Sequence, residues 1–370
     1  MHSPFPLLPN EPRPVDDGLQ AVLTARFLLP VLPELEACLL QLRAALDPVL
    51  QGRQPGKLGK PYPLGQCLEI SVAMQECIAT FDDASLPPAA ASGLRALREF
   101  QRAGGSVRRV WGDLRGQYFQ NAFQVGTLYV DVSNDTVTPT KPKVEILPFA
   151  EAQLNAVRDF RHFAALAARY WGEMAYPNHV LPALAPYCPL IHVGADGRVV
   201  LRELSDYMIG LTRSRGFAPS EAVLQDAPMP QALFDRVRAA LRDSGHALPD
   251  SPEQGRTLAL AQCGHARQAQ QAPAALTQLV RDVQALNQRF AMRTATPSVS
   301  TSTSTANPMP TIRINDIEYA LDSLSGEAQA HLKSIQFVDA ELARLQAHVA
   351  ALQTARHAYL TALQAALPVK

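Results

Sequence analysis

A tract rich in serine, threonine and proline divides this chain and limits which parts can fold together. Residues 294–310 read TATPSVSTSTSTANPMP and carry almost no large apolar side chains. Such a segment cannot bury enough surface to offset the entropy lost on ordering, so it is typical of an extended linker. The sequence therefore predicts a main body before residue 294 and a separate module at 311–370.

The C-terminal module has two predicted parts. Alternating apolar residues around a turn at Asn315 and Asp316 predict a β-hairpin. The long helix after it has apolar residues at alternating spacings of three and four, a heptad pattern typical of a coiled coil. We expect these residues to form an oligomerisation seam, by self-association or with a partner helix, through 326–367. The alternative is that the helix packs on its own body. The seam residues are Ile335, Val338, Leu342, Leu345, Val349, Leu352, Tyr359 and Leu363.

Two segments of this module, SIQFVDAELARLQ and ALQTARHAYLTAL, carry a resemblance to other proteins. On them, residues 311–367 resemble a small family of uncharacterised bacterial and phage proteins. That family has no assigned activity. The resemblance therefore implies an architecture, a hairpin followed by a long helix, and no chemistry.

For the body, the sequence predicts an α+β fold that is predominantly α-helical, with a small antiparallel β element. Residues 1–18 are expected to be a disordered, proline-rich lead-in, 19–150 a helical and β-hairpin domain, and 151–293 a helical domain. The alternative is that the last two form one body. Alternation predicts strands at 123–132 and 143–147, whereas the stretch from Val107 towards Phe119 is expected to be helical.

Bulk properties exclude several function classes. Lys plus Arg and Asp plus Glu both number 34, and no dense basic patch occurs, so nucleic-acid binding is not expected. No apolar run approaches the ~18 residues of a membrane span. The five cysteines are far apart and form no CxxC pair, which favours reduced thiols in the cytoplasm. No nucleotide-binding or zinc-protease motif occurs, and no cofactor is expected.

The sharpest candidate for chemistry is Cys67, in the segment YPLGQCLEIS at 62–71. A predicted helix begins near Gly65, and the positive end of a helix lowers the pKa of a thiol. On this segment, residues 62–147 resemble a degenerate papain- or transglutaminase-like domain. The resemblance implies Cys67 as nucleophile. The alternative is a core cysteine on the apolar face with Ile70 and Met74.

The same resemblance implies Asp131 or Asp135 as the orienting carboxylate. It also implies a histidine near the first strand, but residues 117–126 read QYFQNAFQVG and contain none. His192, in a later predicted strand, is the distant choice of base.

Two other clusters have competing interpretations. The polar segment containing Asp131, Asn134 and Asp135 is suited either to a hard cation or to an ordinary turn. His162 and His179, with His192, are either transition-metal ligands or unrelated. Two functions therefore remain open: a bacterial cytosolic interaction or assembly protein without assigned chemistry, and a papain- or transglutaminase-like cysteine enzyme or pseudoenzyme.

Overall fold

In a computed structural model of the protein, the chain separates into two compact units, Met1–Pro297 and Ser298–Lys370. The structure describes residues 6–13, 17–57, 59–202, 204–269, 273–294, 311–314 and 317–320. The predicted boundary between a body and a C-terminal module thus falls close to the division between the units.

The first unit contains eleven α-helices among its described residues. They are α1 (Asp17–Phe27), α2 (Leu32–Arg53), α3 (Cys67–Thr80), α4 (Pro88–Arg102), α5 (Phe149–Ala152), α6 (Phe160–Trp171), α7 (Asp206–Ser214), α8 (Ala218–Leu224), α9 (Gln231–Ala240), α10 (Pro252–Gln268) and α11 (Pro273–Thr294). Proline marks several starts, because its missing N–H costs nothing in a first turn. Pro88 and Pro252 are examples.

The strands of the first unit form three antiparallel sheets. A short ribbon pairs β1 (Gly56–Lys57) with β2 (Lys60–Pro61). The main sheet has the order β6-β5-β4-β3-β7, and the third has the order β10-β9-β8. The main-sheet strands are β3 (Val107–Leu114), β4 (Tyr118–Val125), β5 (Leu128–Asp131), β6 (Glu145–Pro148) and β7 (Leu154–Asn155), and the others are β8 (Met174–Pro177), β9 (Leu190–Val193) and β10 (Val199–Val200).

This sheet corrects the expected fold class. The predicted small β element is instead a curled five-stranded sheet. The main cause is β3, which was expected to be helical but pairs with β4 along all eight of its residues. The three-residue loop between them has Arg115 and Gly116 at positive φ, which Asn and Gly adopt most readily. Arg-Gly is a weaker hairpin signal than Asn-Gly.

Helices α2, α3 and α4 pack on one face of the main sheet. Their core includes Leu39, Ile70, Leu94 and Phe123, all buried. Helices α2 and α4 approach so closely that a Cβ on Gly93 would lie 2.2 Å from the carbonyl oxygen of Glu34. A glycine is therefore required at this crossing.

Residues from both expected domains share one cluster. Trp111 and Phe119 of the main sheet pack with Phe163 of α6 and Tyr207 of α7. The Trp111 and Phe119 rings stack with centroids 5.3 Å apart, and Phe119 lies 4.7 Å from Phe163. The expected domains 19–150 and 151–293 thus pack together within the single unit Met1–Pro297.

The expected disordered lead-in is wrong for residues 6–13. Trp111 donates its main-chain N–H to the carbonyl oxygen of Asn10, and Arg108 donates to the carbonyl oxygens of Glu11 and Arg13. Leu8 packs on the aromatic cluster. The proline content that suggested disorder instead suits an extended segment lying on the sheet.

The described part of the second unit is one antiparallel pair, β11 (Thr311–Ile314) and β12 (Ile317–Ala320), with Ile314 opposite Ile317. The seam residues from Ile335 to Leu363 lie outside the described residues. Among the helices that the structure describes, none is long and apolar enough to cross a membrane.

Candidate functional site

Cys67 is the first residue of α3, and the turn before it is anchored on both sides. Gly65, at φ +72°, donates its N–H to the carbonyl oxygen of Thr136 in the loop after β5. Gln66 is fully buried and donates its side-chain amide to the carbonyl oxygen of Gln54, just beyond α2. The cysteine is thus presented at a fixed place between the helices and the sheet.

Strand β4 provides the hydrogen-bond donor to the thiol. The side-chain amide of Asn121 lies 3.5 Å from the Cys67 sulfur. The carbonyl oxygen of Asn121 accepts hydrogen bonds from the hydroxyls of Ser71 and Ser133, at 3.3 and 3.2 Å. Because its main chain is held from two elements, Asn121 is a fixed part of this site.

The environment of Cys67 favours the neutral thiol. Burial raises its pKa and outweighs the opposing contributions of the Asn121 hydrogen bonds and the Lys57 charge; the nearby Asp131 carboxylate raises it further. A thiol attacks only as the thiolate, and an amide cannot accept its proton. Activation of this thiol would therefore need a proton acceptor other than Asn121.

Asp131 has a network of its own at the end of β5. The carboxylate is fully buried and accepts hydrogen bonds from Gln120, Tyr129 and Ser133. Burial raises its pKa to about 6, although these hydrogen bonds oppose the rise. Gln120 precedes Asn121 in β4, so the two side chains point to opposite faces of the sheet. The hydrogen bonds of Asp131 therefore lie on the face of the main sheet opposite the Cys67 thiol.

Asp135 forms a buried ion pair with Arg43 of α2. Both nitrogens of the guanidinium fork donate to the Asp135 carboxylate at 3.0 Å, and Arg43 also donates to the carbonyl oxygen of Val132. Although burial alone would lower the pKa of Arg43, hydrogen bonds and charges from Asp135 and Asp47 raise it. The carboxylate thus holds the loop after β5 against α2.

His192 lies in a different sheet, on β9. It is fully buried, its ring centroid is 5.7 Å from that of Phe163, and its Nδ1 lies 3.7 Å from a Glu173 oxygen. The structure therefore brings Cys67 and Asn121 together, whereas Asp131, Asp135 and His192 each have other partners.

The other residues predicted as possible metal ligands also have partners of their own. His162 Nε2 lies 3.0 Å from Asp113, and its Nδ1 accepts the main-chain N–H of Arg158. His179 is buried and bonds to the carbonyl oxygen of Leu224. Asn134 donates to the carbonyl oxygen of Pro142, as a turn residue does. In the described part of the chain, no group of three His, Cys, Asp or Glu residues could hold a metal ion.

The sequence interpretation missed Asn121. Its position in the alternating run QYFQNAFQVG, on the same face as Phe119 and Phe123, was an available signal. Comparisons with known proteins add no relative: no family model matches the chain, and no curated protein or solved structure shows significant similarity to it.

Proposed function

We propose that this protein is an interaction or assembly protein that associates through its C-terminal module, and that its body performs no cysteine chemistry. The observation that carries the proposal is the division of the chain at residues 297 and 298, with the heptad seam falling in the second unit. A helix with such a seam is most simply covered by another helix. The five free cysteines favour a reducing compartment such as a bacterial cytosol.

The surroundings of Cys67 support the part of this proposal that concerns cysteine chemistry. The Cys67 sulfur receives a hydrogen bond from an amide, and its pKa is raised. Removing a proton from such a thiol near neutral pH needs a base within hydrogen-bond reach. Asn121, the hydrogen-bond partner of this thiol among the described residues, cannot act as that base.

The test is the molar mass of the full chain and of residues 1–293, measured by light scattering during size exclusion. We expect an oligomer for the full chain, and a folded monomer for residues 1–293. Equal oligomeric states would contradict the proposal.

Two substitutions sharpen that experiment. Leu345→Glu puts a carboxylate into the seam, whereas Ala347→Glu puts the same group on the outer face of the predicted helix. We expect dissociation only with Leu345→Glu. A full chain that is already monomeric, and loses stability with Leu345→Glu, would support a helix packed on its own body.

The second candidate function is a papain- or transglutaminase-like cysteine enzyme or pseudoenzyme. The observation that favours it is the Cys67 thiol in the first turn of a helix that packs on an antiparallel sheet, with Asn121 of that sheet beside it. Because an amide stands beside the sulfur, the geometry favours the pseudoenzyme form. If Asn121→His lowers the pH midpoint of Cys67 labelling, the site needs only a base to become active; an unchanged midpoint would count against this candidate.

A further inference from the structure

Strand β3 has an edge that is only partly covered. It pairs with β4 along its whole length, but on the other side it meets β7 only at Asp113 and Leu114. Along a strand of an antiparallel sheet, every second residue points its N–H and its C=O to the same edge of the strand. Trp111 donates to Asn10 on the second edge, so the main-chain groups of Val107 and Arg109 also point there. Within the described ranges, no strand pairs with β3 at these two positions.

A cavity of about 440 Å³ lies beside this open edge. Its walls are residues 107–109 of β3, Gln75 of α3 and residues 7–10 of the N-terminal segment. This volume falls within the range of about 300–1,000 Å³ that is typical of binding sites. The N-terminal segment crosses the edge, since Leu8 packs on one face of the sheet and Pro12 approaches Gly112 on the other. Space for a second extended segment therefore remains beside it.

The cavity carries positive charge, of which the Arg108 part is offset by the nearby charge of Glu11. Arg108 and Arg109 both line it, and none of its lining residues is acidic. Arg108 donates to main-chain carbonyl oxygens and to Gln124, all of them neutral. The buried Nε atoms of Arg108 and Arg109 have no hydrogen-bond partner among the described residues. Because the Arg108 guanidinium is already bonded within the chain, Arg109 is the cation of this edge that an anionic group would meet.

We propose that the open edge of β3 binds an extended acidic peptide of a partner protein as an added strand. The peptide main chain pairs with Val107 and Arg109, and its carboxylates, on one face of the added strand, meet the guanidinium group of Arg109. This inference rests on the proposed interaction function and names the class of partner that the body of the protein binds. It is tested by peptide binding, and the C-terminal module is tested by molar mass, so that either can fail alone.

The experiment measures the fluorescence anisotropy of labelled hexapeptides titrated with the full-length protein. The probes are alternating Glu-Val, alternating Lys-Val, and alternating Glu-Val with every second amide N-methylated. We expect saturable binding of the first and no binding of the second. We also expect at least about tenfold weaker binding of the third, because methylation removes the N–H groups that pair with the edge. Equal binding of the acidic and basic probes, or of the methylated and unmethylated probes, would overturn the proposal.

Variants locate the site. Arg109→Glu should weaken acidic-peptide binding at least about tenfold, whereas Arg53→Glu, at the exposed end of α2, should leave it unchanged. If Arg109→Glu does not fold, as judged by its melting transition, Arg109→Gln should still weaken binding. The bound peptide should slow amide hydrogen exchange at Val107 and Arg109.

Binding that is unaffected by Arg109 substitution would refute the proposal. So would binding confined to a peptide of residues 6–13, which would indicate exchange of that segment between copies.

Discussion

The side-chain amide of Asn121 donates a hydrogen bond to the sulfur of Cys67 across 3.5 Å. In a cysteine enzyme, the group beside the sulfur must accept a proton from the thiol. An amide nitrogen can only donate, so Asn121 cannot take the proton, and burial, which outweighs this hydrogen bond, keeps the thiol pKa raised. The position of Cys67 suits a nucleophile, but its neighbour does not suit a base.

Asn121→His should introduce the missing base. We expect the pH midpoint of iodoacetamide labelling at Cys67 to fall by about one unit or more, because an imidazolium beside a thiolate stabilises it. Labelling is read by mass spectrometry on the folded protein. Asn121→Gln is the matched control, since it keeps the amide and should not lower the midpoint. A folded Asn121→His variant that labels like the wild type would show that position 121 does not control the thiol.

Breaking the Arg43–Asp135 ion pair should be costly. Arg43→Met leaves the nearly buried Asp135 carboxylate without its cation, and we expect the free energy of unfolding to fall by about 3–5 kcal/mol. Urea denaturation measures the loss. The control is Arg161→Ala, which breaks an exposed pair with Asp226 and should cost less than about 1 kcal/mol. Similar losses in the two variants would contradict the structural role assigned to Arg43.

Asp131 should make stability depend on pH. Burial raises its pKa in the folded protein to about 6, against a usual value of 3.8. The folded state binds the Asp131 carboxyl proton more tightly than the unfolded state does. The contribution of this proton to the free energy of unfolding is therefore fully present below pH 3.8, and it is lost as the pH rises through 6. The loss amounts to at most about 3 kcal/mol.

Asp131→Asn isolates this contribution because it cannot titrate. Urea denaturation between pH 4 and pH 7 should show wild-type stability falling relative to that of Asp131→Asn by about 2 kcal/mol. The other groups titrate equally in the two proteins and cancel. Parallel pH profiles would mean that Asp131 titrates alike in the folded and unfolded chains.

Two glycines should respond to alanine with opposite signs. Gly93→Ala places a methyl group 2.2 Å from the Glu34 carbonyl oxygen, so we expect a loss of about 1–3 kcal/mol. Gly264 lies inside α10 with no atom within 4 Å of an added Cβ. Gly264→Ala should therefore stabilise the protein by about 0.5–1 kcal/mol. Changes of the same sign in the measured unfolding free energies would contradict the close α2–α4 crossing.

The parts of the fold that the sequence predicted correctly depend on local patterns. The apolar stripe and the preceding glycine predicted a helix beginning near Gly65, and the structure starts α3 at Cys67. Alternation predicted the strand region that contains β4 and β5. Strand β3 was missed because both of its faces pack on other residues, so its pattern does not alternate cleanly.

The site depends on contacts between distant residues, which local patterns do not specify. Cys67 and Asn121 are 54 positions apart, and Arg43 and Asp135 are 92 positions apart. Each pairing follows from how α2 and α3 pack on the sheet. The polar segment after β5 indicated possible ligands, but its carboxylates could be assigned to Gln120 and Arg43 only once that packing was known.

The most direct test of the claim that the body performs no cysteine chemistry is the pH dependence of iodoacetamide labelling at each cysteine of the wild-type protein. We predict that Cys67 resists labelling until the protein unfolds, or labels with a midpoint above the ~8.5 of a free cysteine. Cys38 is a buried internal reference, because burial raises its pKa to about 11. Rapid labelling of Cys67 with a midpoint below about pH 7 would mark an activated thiolate and contradict the account.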